Sequence, residues 1–447
     1  MMAPIDLVAA LRLLADHEAQ AATTLNMTPS ENRLSTLAKL PLLLDPYHRY
    51  FFNDRLEPDG WAFPGGRLAA GLETELTIPL LRELAGARHV NVRPLSGLHA
   101  MLLVFAALGG PPGATVIHFG RELGGHYATA AVAGRLGLRP VALCGPDPHR
   151  PDLDRLQALC RRHQPRLVYV DQSYCLFPAD IAALCQAVRD AAPATRVHAD
   201  VSHWMGLVLG GQFPNPLACG ADSFGGSTHK TFPGPQKGIV ATDDPTLARQ
   251  LRDTQFYLIS SHHFAATLSL GLALLEFRDC GGATYAAQVV ANGRRLGQSL
   301  QRHGLPVEAA DRGFTAGHQL WVRPVRVGVD AAVAADRLYQ AGIRVNVLDD
   351  LPHIPEPALR VGVNEPTWLG LGAQEVEELA WVFAAAVLGR RPLARLRAQI
   401  TALRRRTSPP FQFPTDTGPV GAEVAELLRA HTPPQPLPAA AGSHLHQ

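Results

Sequence analysis

Between about residues 90 and 280 two hydrophobic rhythms alternate along the chain. "ATVIHF", "RPVALC", "RLVYVD" and "RVHADV" are short β-branched runs, and segments such as "DLDRLQALCRRHQ" and "DIAALCQAVRDAA" between them repeat apolar residues at helical spacing. Any one apolar run could be a buried helix segment, but the repeated alternation predicts an α/β fold with a mainly parallel sheet covered by helices. Beyond residue 280 the rhythm changes to a long helical stretch, "AAQVVANGRRLGQSLQRHG", then the short strands "HQLWVRPV", "IRVNVL" and "ALRVGV" and further helices. That reads as a smaller α+β lobe. The expected organisation is an N-terminal arm (1–30), a large domain (31–280), a small C-terminal domain (281–432) and a disordered Pro/Ala-rich tail (433–447).

In sheets of this kind, functional groups gather where strands end and loops leave for the next helix. Four segments put polar residues there: Ser96 and Gly97 open the helix "SGLHAMLLVFAAL", Gly124 to His126 follow "VIHF", Asp171 to Ser173 follow "LVYV", and Asp200 to His203 follow "RVHA". A further segment, "STHKTFPGPQKG", sets Lys230 among hydroxyl, Pro and Gly residues that neither continue a helix nor form a regular strand. So many polar groups need partners when buried, and a bound cofactor carrying a phosphate, a ring nitrogen and an aldehyde supplies them.

Composition narrows the partners. The chain has 447 residues, 47% hydrophobic, with a formal net charge of +2, which suits two lobes and leaves no basic footprint for nucleic acid or an anionic membrane. A small-molecule partner is expected. The six cysteines lie far apart without a CxxC pair, so neither a zinc site nor a disulfide framework is expected and a reducing cytoplasm fits. The first twenty residues carry acidic groups and no basic n-region, unlike a signal peptide.

The stretch "HADVSHWMGLVLGGQFPNPLACGADSFGGSTHKTFPGPQKG" resembles the pyridoxal-phosphate core of the serine hydroxymethyltransferases, fold-type-I enzymes of the aspartate-aminotransferase-like class, and is still more similar to their relatives the L-threonine transaldolases. The resemblance implies that Lys230 forms the internal Schiff base, that Asp200 pairs with the pyridinium nitrogen, and that His203 lies near the phenolic oxygen and the lysine. It implies that His126 stacks on the cofactor ring and that Ser173 bonds its phenolic oxygen. Ser96 and Gly97 would cradle the phosphate at a helix N-terminus, with Ser227, Thr228 and His229 completing that shell. Arg360 and Ser30 would hold the substrate carboxylate. For Arg360 a structural salt bridge is the rival reading. A homodimer with shared sites follows from the resemblance, and Ser260, Ser261 and His262 stand where the family's Gly-rich loop reaches the neighbour's phosphate.

The match breaks where serine hydroxymethyltransferases carry a Tyr-Ala-Glu stretch. Here Tyr47 is followed by His48 and Arg49, which removes the glutamate used beside folate and disfavours the folate reaction. Phe63 also replaces a tyrosine, and Leu98 a serine. The expected activity is retro-aldol cleavage of L-threonine to acetaldehyde and a glycyl quinonoid, then addition to an acceptor aldehyde giving a β-hydroxy-α-amino acid for a specialised metabolite such as an antibiotic. His126 is the first candidate for the hydroxyl base and Tyr47 or water the next, with residues 48–61 as the acceptor pocket. Serine or α-methylserine hydroxymethyltransferase, threonine aldolase and a non-catalytic cofactor-binding partner stay open as alternatives. No metal is expected.

Overall fold

The computed structural model describes residues 6–51 and 63–431, and all that follows concerns those residues. The helix Leu7–Ala21 leads into a short strand, β1 (Leu25–Asn26). After it come β2 (His89–Asn91), β3 (Thr115–Phe119), β4 (Arg139–Leu143), β5 (Leu167–Asp171), β6 (Arg196–Asp200), β7 (Ser223–Ser227) and β8 (Gly238–Thr242). These last seven form one sheet in the order β2-β8-β7-β6-β5-β3-β4. The sheet is parallel from β4 to β7, and β8 runs antiparallel to both β7 and β2.

Local chemistry explains the elements. Ser96, Asp152, Asp180 and Asp244 cap the helices that follow them, each side-chain oxygen accepting a first-turn N–H. Strands β3, β5, β7 and β8 are buried along their whole length, so they read as continuous runs and do not alternate. Strand β7, "SFGGS", carries no apolar run at all: Gly225 lies so tightly against Ile239 of β8 that no side chain fits between them.

Strand order fixes where the site lies. Strand β4 sits on one side of β3 and β5 on the other, which opens a crevice at their carboxyl ends. The parallel register then sets Asp171 beside Asp200, and Asp200 beside Gly225.

The C-terminal part adds β9 (Gln319–Val322), β10 (Ile343–Arg344), β11 (Asn346–Leu348) and β12 (Ala358–Gly362). An antiparallel sheet ordered β11-β12-β9 packs with the helices Ala331–Gln340 and Gly282–Arg302, and the helix Ala373–Val387 packs on both of those helices. The N-terminal segment is stitched to this lobe, since β1 pairs in parallel with β10. One continuous apolar cluster runs from Trp204, Phe232 and Leu274 to Leu296, Trp368 and Phe383. The expected tail, 433–447, lies outside the described residues.

Candidate active site

The loop joining β7 to β8 carries two lysines, and their surroundings differ. Lys237 is fully buried, and its amine donates to the carbonyl of His262 at 2.8 Å while the buried carboxylate of Glu73 faces it. Lys230 Nζ has no hydrogen-bond partner among the described residues. Burial pushes its amine down to about 8, against the pull of Asp200 and with a further push from Arg360. Burial also pushes the Lys237 amine down, to about 7, so commitment is what separates the two: the Lys230 nitrogen is free to act as a nucleophile, and Lys237 is a strut.

The backbone around Lys230 is held from three directions. Its carbonyl accepts from Asn32 Nδ2 at 2.6 Å and from Asn364 Nδ2 at 3.2 Å. The next carbonyl, that of Thr231, accepts from Tyr285 Oη at 2.9 Å, and Thr231 Oγ1 donates to the carbonyl of His203 at 3.0 Å. These anchors tie together the N-terminal segment, the C-terminal lobe and the strand-end loop after β6.

Asp200, at the end of β6, accepts from Tyr169 Oη at 2.7 Å and from the N–H of Ser202 at 2.9 Å. Beside it, Asp171 is buried and held up to about 7 by desolvation, with one oxygen taken by Thr129 and by the N–H of His126 and the other unpartnered. His126 therefore stands on a carboxylate through its backbone. Its ring Nδ1 accepts from the N–H of Ala128 at 3.2 Å, which leaves the proton on Nε2. Burial lowers the His126 pKa, with Asp200, Lys230, Arg121 and Arg360 all close enough to act on it.

Arg360, on β12, is the most telling group. It is buried, with Nε donating to Gln319 Oε1 at 2.9 Å and Nη2 donating to the carbonyl of Ser173 at 2.7 Å and to His203 Nε2 at 3.1 Å. The Tyr174 ring lies 4.8 Å from the guanidinium carbon. Every one of these partners is uncharged. Among the described residues no carboxylate pairs with it, so the structural salt bridge is ruled out as its role, and a buried guanidinium in this state calls for an anion. Burial pulls its pKa down to about 10.

At the N-terminus of the helix Gly97–Leu108, Ser96 Oγ accepts from the N–H of His99 at 3.1 Å, so the cap uses the hydroxyl while the first N–H groups of the helix stay outside its ladder. A methyl on Gly97 would collide with Ser227 Oγ and lie 3.0 Å from the Ser227 nitrogen, which makes this a cradle only glycine leaves open. His229 Nδ1 is buried without a partner next to it in sequence, and burial lowers that ring to about 4. Thr228 departs from expectation: its hydroxyl donates to the carbonyls of Pro235 and Lys237 and closes the lysine loop. A free helix end, an orphaned donor-acceptor ring, a poised lysine and a doubly bonded carboxylate fit a phosphate, an aldehyde and a ring nitrogen.

Other expected residues stand elsewhere. Tyr47 is exposed in the turn Asp45–His48, edge-on to His48, and no contact joins it to Lys230, Asp200 or Arg360 within one chain. Phe63 is exposed against Tyr50. Ser30 is half-buried and makes no hydrogen bond, although Pro29 before it packs on Gly362 of β12. His262 is corrected: its ring is buried and its Nε2 meets Glu73 at 3.0 Å in the same chain, so it is not free to reach a neighbour's phosphate. Ser260 stays exposed. Most of the segment 48–61 lies outside the described residues.

The family model for serine hydroxymethyltransferase matches residues 74–383. The chain belongs to that family. An L-threonine:uridine-5′-aldehyde transaldolase from Streptomyces sp. is 47% identical over 405 residues, covering 89% of this chain and 95% of its own length. A protein of the same name from Amycolatopsis sp. is 44% identical, covering 90% and 97%. The crystal structure of an L-threonine transaldolase from Pseudomonas fluorescens, in its internal aldimine state, superposes with a TM-score of 0.83 at 27% identity, covering 93% of this chain and 96% of that one. The fold is fold type I, the cofactor is pyridoxal 5′-phosphate, and the protein is a cofactor-dependent transferase.

Residues that pattern reading passed over support this site: Asn32, Tyr169, Tyr174, Tyr285, Gln319 and Asn364. Asn32 alone had a local signal, two places after Ser30 in "SEN". Tyr169 is hidden inside the apolar run of β5, and the rest act from segments distant in sequence.

Proposed function

We propose that this chain is an L-threonine transaldolase that releases acetaldehyde from L-threonine and joins the remaining glycine unit to a nucleoside 5′-aldehyde. Uridine-5′-aldehyde is the acceptor in the relatives' names. Bound at Lys230, pyridoxal 5′-phosphate supplies the electron sink for Cα–Cβ cleavage and formation.

The chain's own groups do the rest. Gly97, Ser227 and His229 would hold the phosphate, Asp200 would pair with the ring nitrogen, and Ser173 would bond the phenolic oxygen. Arg360, with Ser30, would fix the substrate carboxylate and so orient the bonds at Cα. The single observation that carries the reading is the buried Arg360 whose partners are all neutral, close enough to Lys230 that it and Asp200 both act on the lysine amine. His126 Nε2 carries a proton as found, the state that protonates the oxygen of the added aldehyde. Taking the hydroxyl proton of L-threonine at that atom requires the other tautomer, with Nδ1 releasing Ala128, or else a water.

Tyr47 reaches a site only from a second copy, and we place it in the neighbour's acceptor pocket in a homodimer. The exposed stripe Leu7, Leu11 and Leu14 on the first helix supports self-association. A cytoplasmic enzyme of specialised metabolism is the setting we assign. The test is to incubate holoenzyme with L-threonine and uridine-5′-aldehyde without folate and follow acetaldehyde and new amino acid by mass. Matched yields support the reading. Acetaldehyde and glycine at full rate without acceptor, or a requirement for tetrahydrofolate, would overturn it.

A further inference from the structure

Behind Arg360 lies a second buried histidine. His318 is fully buried in the turn before β9, its ring stacked on His203 at 5.3 Å between centroids and edge-on to Trp204 at 5.6 Å. Its carbonyl accepts from the N–H of Val363 at 2.9 Å, and Ala316 two residues earlier donates to the carbonyl of Leu176. The backbone that carries the ring is thus held on both sides, at the joint between the segment after β5 and the end of β12.

The hydrogen-bond roles along this line are forced. Arg360 is only a donor, so His203 Nε2, 3.1 Å from Arg360 Nη2, must carry the lone pair. The proton of the neutral His203 ring is then on Nδ1, which lies 3.2 Å from His318 Nε2. That atom must accept, so His318 carries its own proton on Nδ1, which is buried without a hydrogen-bond partner among the described residues. We propose that His318 is a positioning residue: by accepting from His203 it fixes the tautomer that lets His203 accept from Arg360, and so holds the guanidinium in place to grip the substrate carboxylate.

Without an acceptor at position 318, the buried N–H of His203 loses its partner and the ring gains by moving the proton to Nε2. Two donors then face each other at His203 and Arg360, and the guanidinium must turn away. Desolvation keeps both rings neutral, so a second proton on His203 is not an escape. The inference rests on the reading that Arg360 takes the carboxylate.

The test compares binding of glycine and of glycinamide, which lacks the carboxylate, to holoenzyme by calorimetry. His318→Leu is expected to weaken glycine about tenfold and leave glycinamide within about twofold, while His318→Gln, whose amide oxygen replaces the Nε2 acceptor, stays near the parent. Should the leucine variant fail to fold, Asn in place of Gln serves, since its shorter side chain misses His203 and glycine must again weaken selectively. Imidazole nitrogen NMR should show the His203 proton moving from Nδ1 to Nε2 in the weakened variant. Equal loss for both ligands, or no loss for glycine, overturns the proposal. Arg360→Lys separates the two levels: if it leaves glycine binding intact the carboxylate reading itself fails, and if it weakens glycine while His318→Leu does not, only the role of His318 falls.

Discussion

Replacing Gly97 by alanine tests the phosphate cradle directly. The backbone at this position is an ordinary helical start, so alanine brings no strain and favours the helix by up to about 1 kcal/mol. Space is the difficulty. The new methyl meets Ser227 Oγ well inside contact, 3.0 Å from the Ser227 nitrogen and 3.1 Å from its Cβ. Ser227 cannot move freely, because its N–H donates to Ser202 Oγ at 2.9 Å and its neighbour Thr228 closes the lysine loop. Overpacking of this kind costs about 1–3 kcal/mol, and with the fold compensated by helix propensity the loss falls on whatever the two residues hold between them. That corresponds to roughly a 5- to 150-fold weaker complex. The assay titrates apoenzyme with pyridoxal 5′-phosphate and with pyridoxal. The phosphate ester should lose about fivefold or more while pyridoxal stays within about twofold. Equal loss for both compounds, or none for either, would refute the cradle.

Three further outcomes are expected. Tyr169→Phe removes one of the two donors on Asp200; a hydrogen bond to a charged group is worth about 1.5–3 kcal/mol, so kcat should fall roughly 10- to 100-fold with a shifted cofactor absorbance, and unchanged steady-state rates would contradict this. The rate at which apoenzyme captures pyridoxal 5′-phosphate should rise with pH through about 8, where the buried Lys230 amine loses its proton, and level off above; a midpoint near 10.5 would contradict it. Stability should fall as pH drops. His198, His203, His262 and His318 are buried and held neutral well below 6.5 by desolvation, at about 4 for His198 and His262 and about 3 for His318. Unfolded rings bind a proton near 6.5 that the folded ones refuse, so each contributes a loss of about 1.4 kcal/mol per pH unit from 6.5 down toward its folded value. Asp171, raised to about 7 from 3.8, binds its proton more tightly when folded and offsets one ring across that window. Urea unfolding of apoenzyme between pH 7 and 5 measures the balance, and stability that is flat or rising toward pH 5 would show that the rings are not neutral.

The sheet was legible because β3, β4, β5 and β6 are written in β-branched residues with helical segments between them. Strand β7 was not, since its glycines answer to a close approach of β8 that no local pattern records. The lysine and its carboxylate could be found because they lie on strand ends and in one loop, where chemistry and spacing agree. Their supports could not. Tyr285, Gln319, His318 and Asn364 reach the site from the C-terminal part of the chain, and an Asn or Tyr in an ordinary helix or strand carries no mark of a carbonyl waiting 134 or 54 residues upstream. Thr228 and His262 show the opposite error: each stands at a place where the resemblance assigns a cofactor contact, while the folded chain uses their polar atoms to close its own loops.

Everything in the account turns on which lysine of the loop holds the cofactor. Borohydride reduction of the holoenzyme followed by peptide mapping should place the pyridoxyl mass on Lys230, whose amine has no hydrogen-bond partner among the described residues, and leave Lys237, bonded to the carbonyl of His262, unmodified. A label on Lys237, or on neither lysine, would contradict it.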